Sequence, residues 1–137
     1  MQRQLETSPT YAAEPPHLSS ERPRILTAEE EAILDSIQRR VLWLSTLIIH
    51  HANHVRHNPD DLKVGGHQAS SASMVSILTA LYFSYLAAGD RVSIKPHASP
   101  VFHAIQYLLD YLDRGYLQTL RDFGGLQAYP SRTKDPD

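Results

Sequence analysis

The chain has 137 residues, is 42% hydrophobic and 20% charged, and carries a formal net charge of -2. Its length suffices for one domain with a modest core. The slightly acidic balance argues against nucleic acid as a partner, and the absence of cysteine excludes disulfides, thiolate metal sites and a cysteine nucleophile. The most apolar run, at 41–49, is far shorter than the roughly 20 residues of a membrane span. We therefore expect a soluble, cytoplasmic chain that does not enter a membrane.

The N-terminal stretch 1–24 is predicted to be a disordered or extended arm. Its prolines break helices, and it holds too little apolar surface to offset the entropy of ordering. The rest, 25–137, is predicted to form one domain.

A long first helix is predicted to begin at Thr27, where Thr27 and Glu30 have the spacing of a capping box. Apolar residues then recur at nearly the helical period, and from 41 to 49 almost every side is apolar, which indicates burial on most faces. The helix should end near Asn58, because Pro59 disfavours helical backbone in the residue before it.

A second helix is predicted from His67 or Gln68 to about Ala88, with small side chains in its first turns that allow close approach of a backbone or ligand. After a turn, 91–95 alternates polar and apolar residues and is predicted to be a short strand. Another helix is predicted to run to about Arg114, capped by Ser99 with Pro100 at its first position. A short helix is predicted at 116–123.

The order helix, helix, strand, helix leaves two fold classes open. One short strand cannot make a sheet, so the chain is either an all-helical domain with an odd strand or the front end of a larger α/β domain. The order of elements favours the α/β class. The polar tail after Pro130 contains no closing element, and we expect the domain to be truncated.

The motif Gly65-Gly66-His67 is the first candidate site. A glycine pair before a helix allows close backbone approach, and the free amides at a helix start attract anions. A histidine there could donate to an anionic substrate or transfer protons near neutral pH. The alternative is a plain joint between loop and helix with a capping or exposed histidine.

A second candidate is His97, which follows the predicted strand and precedes a helix, where ligands bind in α/β proteins. Lys95 and Ser99 flank it with further polar groups. The alternative is a turn histidine that caps the next helix.

Four further histidines crowd the end of the first helix. His50, His54 and His57 have i, i+4, i+7 spacing, which makes a zinc site geometrically possible. The alternative is that imidazoles gather there because the helix dipole favours them. We predict no metal site, and we predict that His103 is a surface histidine.

Four motifs occur in an order that resembles a known enzyme group: 64–70, 89–92, 95–100 and 125–130. They resemble the start of the transketolase-like thiamine-diphosphate-dependent enzymes, and are most similar to the homodimeric decarboxylating component of pyruvate dehydrogenase, with its GGH-x-AS, GD-x-V, GH-x-SP and GL-x-x-YP pattern. The resemblance covers roughly 28–137.

The resemblance implies the N-terminal, mostly helical part of a thiamine-diphosphate-binding α/β fold, with an active site between two subunits. Such enzymes cleave or form a carbon–carbon bond next to a carbonyl of a 2-oxo acid or ketose, using thiamine diphosphate and Mg²⁺. It implies catalytic roles for His67 and His97 in a channel that they and Gly66 share with the cofactor. Ser70 would contact the substrate, and Lys95, which stands where such families often place a neutral or small residue, is a second candidate for substrate contact.

The chain also departs from that pattern. Pro96 replaces a glycine, Tyr129 or Ser131 occupies the place of a third histidine, and the GDG…N motif that anchors the diphosphate and Mg²⁺ is absent. The sequence therefore predicts an N-terminal fragment that is inactive alone, with the remaining domains or a second subunit as its partner. Two alternatives are a non-catalytic helical dimerisation module and a histidine metal-binding protein.

Overall fold

A computed structural model of the protein describes residues 25–131 and 133–136. The predicted arm at 1–24 lies outside the described residues. The described chain forms four α-helices, which are α1 (Ala28–His50), α2 (Gln68–Ala72), α3 (Val75–Ala80) and α4 (Ser99–Leu108). π-helical turns extend α1 over His51–Val55 and α3 over Leu81–Tyr85, and 3₁₀ turns lie at Pro96–Ala98 and Arg114–Gln118. No helix among the described residues is long and apolar enough to cross a membrane.

The start of α1 confirms the predicted capping box. The Glu30 amide donates to Thr27 Oγ1 over 3.3 Å, and the Thr27 amide donates to Glu30 Oε2 over 2.8 Å. At the other end the helix stops at Val55 rather than near Asn58, because the backbone widens into a π turn in which the Arg56 amide donates to the His51 carbonyl.

The predicted single helix from His67 to Ala88 is divided into α2 and α3. The Ser73 hydroxyl donates to the Ser70 carbonyl over 2.8 Å, and the Met74 amide donates to the Ser71 carbonyl over 3.0 Å, which tightens the backbone at the break. Serine side chains compete for helical carbonyls in this way, so the small residues that suggested close approach also interrupt the helix.

The predicted strand at 91–95 is wrong. This segment is irregular, and the described residues contain no strand that could pair with it. Alternation alone does not make a strand, because a ladder needs a partner for its backbone groups. The α/β class is therefore unsupported, and the described chain is mostly helical.

The last long helix, α4, differs from its prediction at both ends. Ser99 is its first residue rather than its cap, and its hydroxyl donates to the Pro96 carbonyl over 2.9 Å. The helix ends at Leu108, not Arg114, because Asp110 adopts φ 65°. The amides of Asp110 and Tyr111 donate to the carbonyls of Tyr107 and Gln106, which is the pattern of a Schellman motif. The predicted helix at 116–123 is instead the 3₁₀ turn Arg114–Gln118 followed by turns.

The core lies where α1 packs against α3 and α4. Its buried apolar side chains come from all three helices and from the chain after α4, and include Val41, Ile48, Val75, Leu78, Val101, Ile105, Leu120 and Leu126. One face of α1 stays uncovered within the described residues, since Trp43 is 65% exposed and Leu42 is 42% exposed. The prediction that 41–49 is buried on most faces is therefore wrong for that face.

Candidate functional site

The two histidines singled out by the sequence lie against each other. The ring centroids of His67 and His97 are 5.0 Å apart, and the ring planes meet at 74°. His67 immediately precedes α2, and His97 lies in the 3₁₀ turn that precedes α4. Both side chains are exposed. Two motifs far apart in sequence thus bring two imidazoles to one place on the surface.

The glycines before His67 are required by the backbone. Gly65 has φ 136° and Gly66 has φ 83°, conformations that side-chain-bearing residues rarely adopt. Space is short as well. A Cβ on Gly65 would lie 2.0 Å from the Arg121 guanidinium, and a Cβ on Gly66 would lie 3.0 Å from Ile49. The glycines therefore permit both the turn and the close contact with α1.

Asn53 holds the loop from the end of the first helix. Its side-chain amide donates to the Gly65 carbonyl over 2.6 Å, and its carbonyl oxygen accepts from the Gly65 amide over 3.0 Å. The same amide also donates to the Ile49 carbonyl over 2.8 Å. One asparagine thus pairs both backbone groups of the residue two positions before His67.

Two consecutive residues from the C-terminal part contact the loop and the end of the helix that precedes it. Arg121 donates to the Val64 carbonyl over 2.9 Å. Its neighbour Asp122 forms an ion pair with Arg56 at 3.7 Å, which is too long for a hydrogen bond and leaves the buried Arg56 nitrogen without a hydrogen-bonding partner among the described residues. The loop before His67 is therefore held by contacts on both sides.

The remaining predicted site residues lie close to the pair in sequence. Ser70 is half-buried in α2, one turn after His67, and its carbonyl accepts from Ser73. Lys95 is exposed and begins the turn that carries His97. Gln68 donates to the Thr46 carbonyl over 3.1 Å and ties the start of α2 to α1.

The histidine cluster at the end of α1 has only part of the predicted spacing. The rings of His50 and His54 lie 5.1 Å apart, as the i, i+4 spacing predicts, but His57 lies beyond the helix end at Val55. Within 25–131 and 133–136, no group of three or more histidine, aspartate or glutamate side chains could hold a metal ion.

His103 is a buried residue, not the surface histidine that the sequence predicted. Its side chain is fully buried in α4, and its Nε2 lies 3.3 Å from the Gln127 carbonyl oxygen. The error arose because α4 is covered on that side by the returning chain around Leu126 and Gln127, which no helical periodicity reveals.

The histidine pair has the chemistry of a proton-transfer or hydrogen-bonding site. Each imidazole can donate and accept a hydrogen bond. Two exposed rings in contact can each form a hydrogen bond to one of two oxygens of a small substrate. The loop backbone behind them is held in place, which suits a preorganised site.

The fit to the cofactor named by the resemblance is partial. Mg²⁺ prefers oxygen ligands, carboxylates among them, and the described part of the chain holds no group of three or more histidine, aspartate or glutamate side chains that could bind a metal ion. The described residues thus offer no carboxylate cluster for the cation end of the cofactor.

Sequence reasoning found the histidine pair but missed the residues that hold its loop. Asn53 and Arg121 touch the loop across 12 and 57 positions of sequence. No local pattern marks such contacts, although an asparagine among the histidines at a helix end was a weak sign.

Comparisons with protein-family models, with curated proteins and with solved structures found no match for this chain.

Proposed function

We propose that His67 and His97 form the substrate-side wall of a transketolase-like thiamine-diphosphate-dependent site, most similar to that of the homodimeric decarboxylating component of pyruvate dehydrogenase. The contact between the two rings, 5.0 Å between centroids, carries this proposal. The motif order suggested both residues independently of their contact. Their juxtaposition is what a shared channel requires.

In this function the pair binds and orients the substrate. One imidazole donates to the carbonyl oxygen of a 2-oxo acid or ketose, while the other accepts or returns a proton at the neighbouring oxygen. The cofactor, when bound, supplies the electron sink for carbon–carbon cleavage. Ser70 and Lys95 are proposed to contact the polar end of the substrate.

Because the GDG…N motif is absent from the 137 residues, the cofactor anchor has to come from other domains of the enzyme or from a partner subunit. We expect the chain alone to show no micromolar binding of thiamine diphosphate and Mg²⁺ by calorimetry. Clear micromolar binding would show that the assignment of the anchor is wrong.

Complementation tests the function directly. The chain is added to a pyruvate decarboxylating component that lacks its own corresponding N-terminal part, and carbon dioxide release is measured with thiamine diphosphate and Mg²⁺. We expect activity to return, and His67→Ala or His97→Ala to lower it by about a hundredfold or more, the usual scale for a lost general acid or base.

The matched control is His57→Ala, because His57 is exposed and lies outside the pair. It should restore activity as the unmodified chain does. If the chain binds the shortened enzyme in a pull-down but His67→Ala restores full turnover, the histidines do not have this role.

A second function, a non-catalytic dimerisation module, is favoured by the exposed apolar face of α1. Leu42, Trp43 and Thr46 lie at helical spacing on this face, and both large side chains are exposed. Trp43 is the only tryptophan, so its emission should shift to the blue on association. Emission that stays constant over a hundredfold range of concentration would exclude this use of the face.

A further inference from the structure

An open cleft of about 610 Å³ lies at the C-terminal end of the described chain. Two cations, Arg121 and Lys134, line it together with the exposed ring of Tyr129. The other lining residues are Asp122, Gln127, Ala128, Pro130 and Ser131. Neither His67 nor His97 contributes to this lining, so the cleft is a separate feature.

The wall of the cleft is held in a fixed shape by one carboxylate. Asp135 accepts from the backbone amides of Gln127 and Ser131, each over 2.6 Å. The Arg121 amide also donates to the Leu126 carbonyl over 2.7 Å. A preformed wall lowers the entropic cost of binding a ligand.

The charge presented to the cleft is positive. Arg121 and Lys134 face no carboxylate within ion-pair distance in the described part of the chain. Asp122, the single acid of the lining, is paired with Arg56 and accepts from the Phe123 amide over 2.9 Å. The Asp135 carboxylate is occupied by backbone amides. A cationic cleft in a chain of net charge -2 attracts anions.

The geometry points to a binding site for the oxyanion group, phosphate or carboxylate, of a small organic molecule. Arginine binds such groups through two parallel N–H bonds, and its guanidinium has five donors. Arg121 uses one nitrogen for the Val64 carbonyl. Lys134 supplies a second charge, and the exposed Tyr129 ring offers an aromatic surface to the carbon part of the ligand.

The cleft is connected to the loop before His67 through Arg121. The Arg121 guanidinium that lines the cleft also donates to Val64 and lies against Gly65. An anion bound to this guanidinium therefore changes the environment of the Gly65 amide, which gives the site a spectroscopic signature that a merely exposed arginine would not have.

The test is a titration of the full ¹⁵N-labelled chain with inorganic phosphate and, separately, with acetate, against sodium chloride at equal ionic strength. We expect saturable shifts at 121–134 and at Gly65, with a dissociation constant on the order of 1 mM. The site prefers phosphate or carboxylate according to which of the two, inorganic phosphate or acetate, saturates the shifts at the lower concentration.

Arg121→Gln and Lys134→Gln should each weaken binding about tenfold, the scale of one charge-assisted contact. The matched control is Arg114→Gln, an exposed arginine outside the cleft, which should bind as the unmodified chain does. Lys134→Gln decides the matter if Arg121→Gln does not fold.

Shifts that stay linear with concentration, or that chloride reproduces, overturn the site. So does unchanged affinity in Lys134→Gln.

Discussion

The residues that shape the candidate site are not the histidines themselves but the groups behind them. Gly65 combines a backbone conformation that other residues avoid with a contact to the Arg121 guanidinium, which an added Cβ would displace. Asn53 occupies both polar groups of the same glycine. The position of His67 therefore depends on Gly65 and Asn53, neither of which is proposed to contact the substrate.

Three glycine-to-alanine substitutions separate strain from crowding. In Gly65→Ala the new side chain has an unfavourable positive φ and also clashes with Arg121. In Gly89→Ala it has only the unfavourable φ of 93°, and in Gly115→Ala it has neither the positive φ nor a clash. We expect the free energy of unfolding to fall by about 2–4 kcal/mol for Gly65→Ala and by about 1–2 kcal/mol for Gly89→Ala. It should not fall for Gly115→Ala. Urea denaturation measures this. Equal losses for Gly65→Ala and Gly89→Ala would show that the Arg121 contact yields without cost.

Replacing Asn53 by alanine leaves the amide and carbonyl of Gly65 without their described partner. Half-buried polar groups without partners cost about 1–3 kcal/mol, so we expect a loss of this size and faster hydrogen exchange at the Gly65 amide. Exchange at Ile48, in the middle of the buried face of α1, provides the internal control. A Gly65 amide that exchanges at the unmodified rate would contradict the role of Asn53.

At the scale of the elements, the start of α1 was predicted correctly, while the break after α2 and the irregular segment 91–95 were not. The Thr27–Glu30 capping box was predicted because both partners lie within one turn. The break between α2 and α3 was missed because the Ser73 hydroxyl competes for the Ser70 carbonyl inside an otherwise helical pattern. The strand at 91–95 was wrong because alternation says nothing about a partner strand.

The start of α1 offers a clean test at this scale. Thr27→Ala removes the acceptor of the Glu30 amide and should lower stability by about 1 kcal/mol. Thr46→Ala, an exposed threonine in the middle of the same helix, should be neutral or slightly stabilising, since alanine is the better helix former. The midpoints of thermal unfolding of the two variants measure this difference in stability. A cap variant as stable as the mid-helix variant would mean that α1 frays at its start.

At the scale of the whole molecule, the proximity of His67 and His97 was more predictable than the fold around them. The order of four motifs suggested His67 and His97, and their rings touch. The catalytic use of the pair remains a proposal. The sheet implied by the same motifs does not occur in the described residues, and neither Asn53 nor Arg121 could be found without the fold, because their contacts join distant segments.

The uncovered apolar side chains predict a marginally stable chain that associates. Trp43, Ile77 and Phe123 are 65%, 59% and 105% exposed. Surfaces of this kind favour self-association. We expect a broad thermal transition whose midpoint rises with protein concentration, and sedimentation that shows more than one species. A sharp transition in a monomer, independent of concentration, would contradict this.

The hydrogen bond from Arg121 to Val64 closes a loop of 57 residues. The backbone before His67 is thus completed from outside its own segment, by an arginine that follows α4. A short peptide that carried 64–70 into another scaffold would bring the glycines and the histidine but not their shape. Transplanting the histidine pair into a designed protein would require the end of α1 and the turn at 121–122 to travel with it.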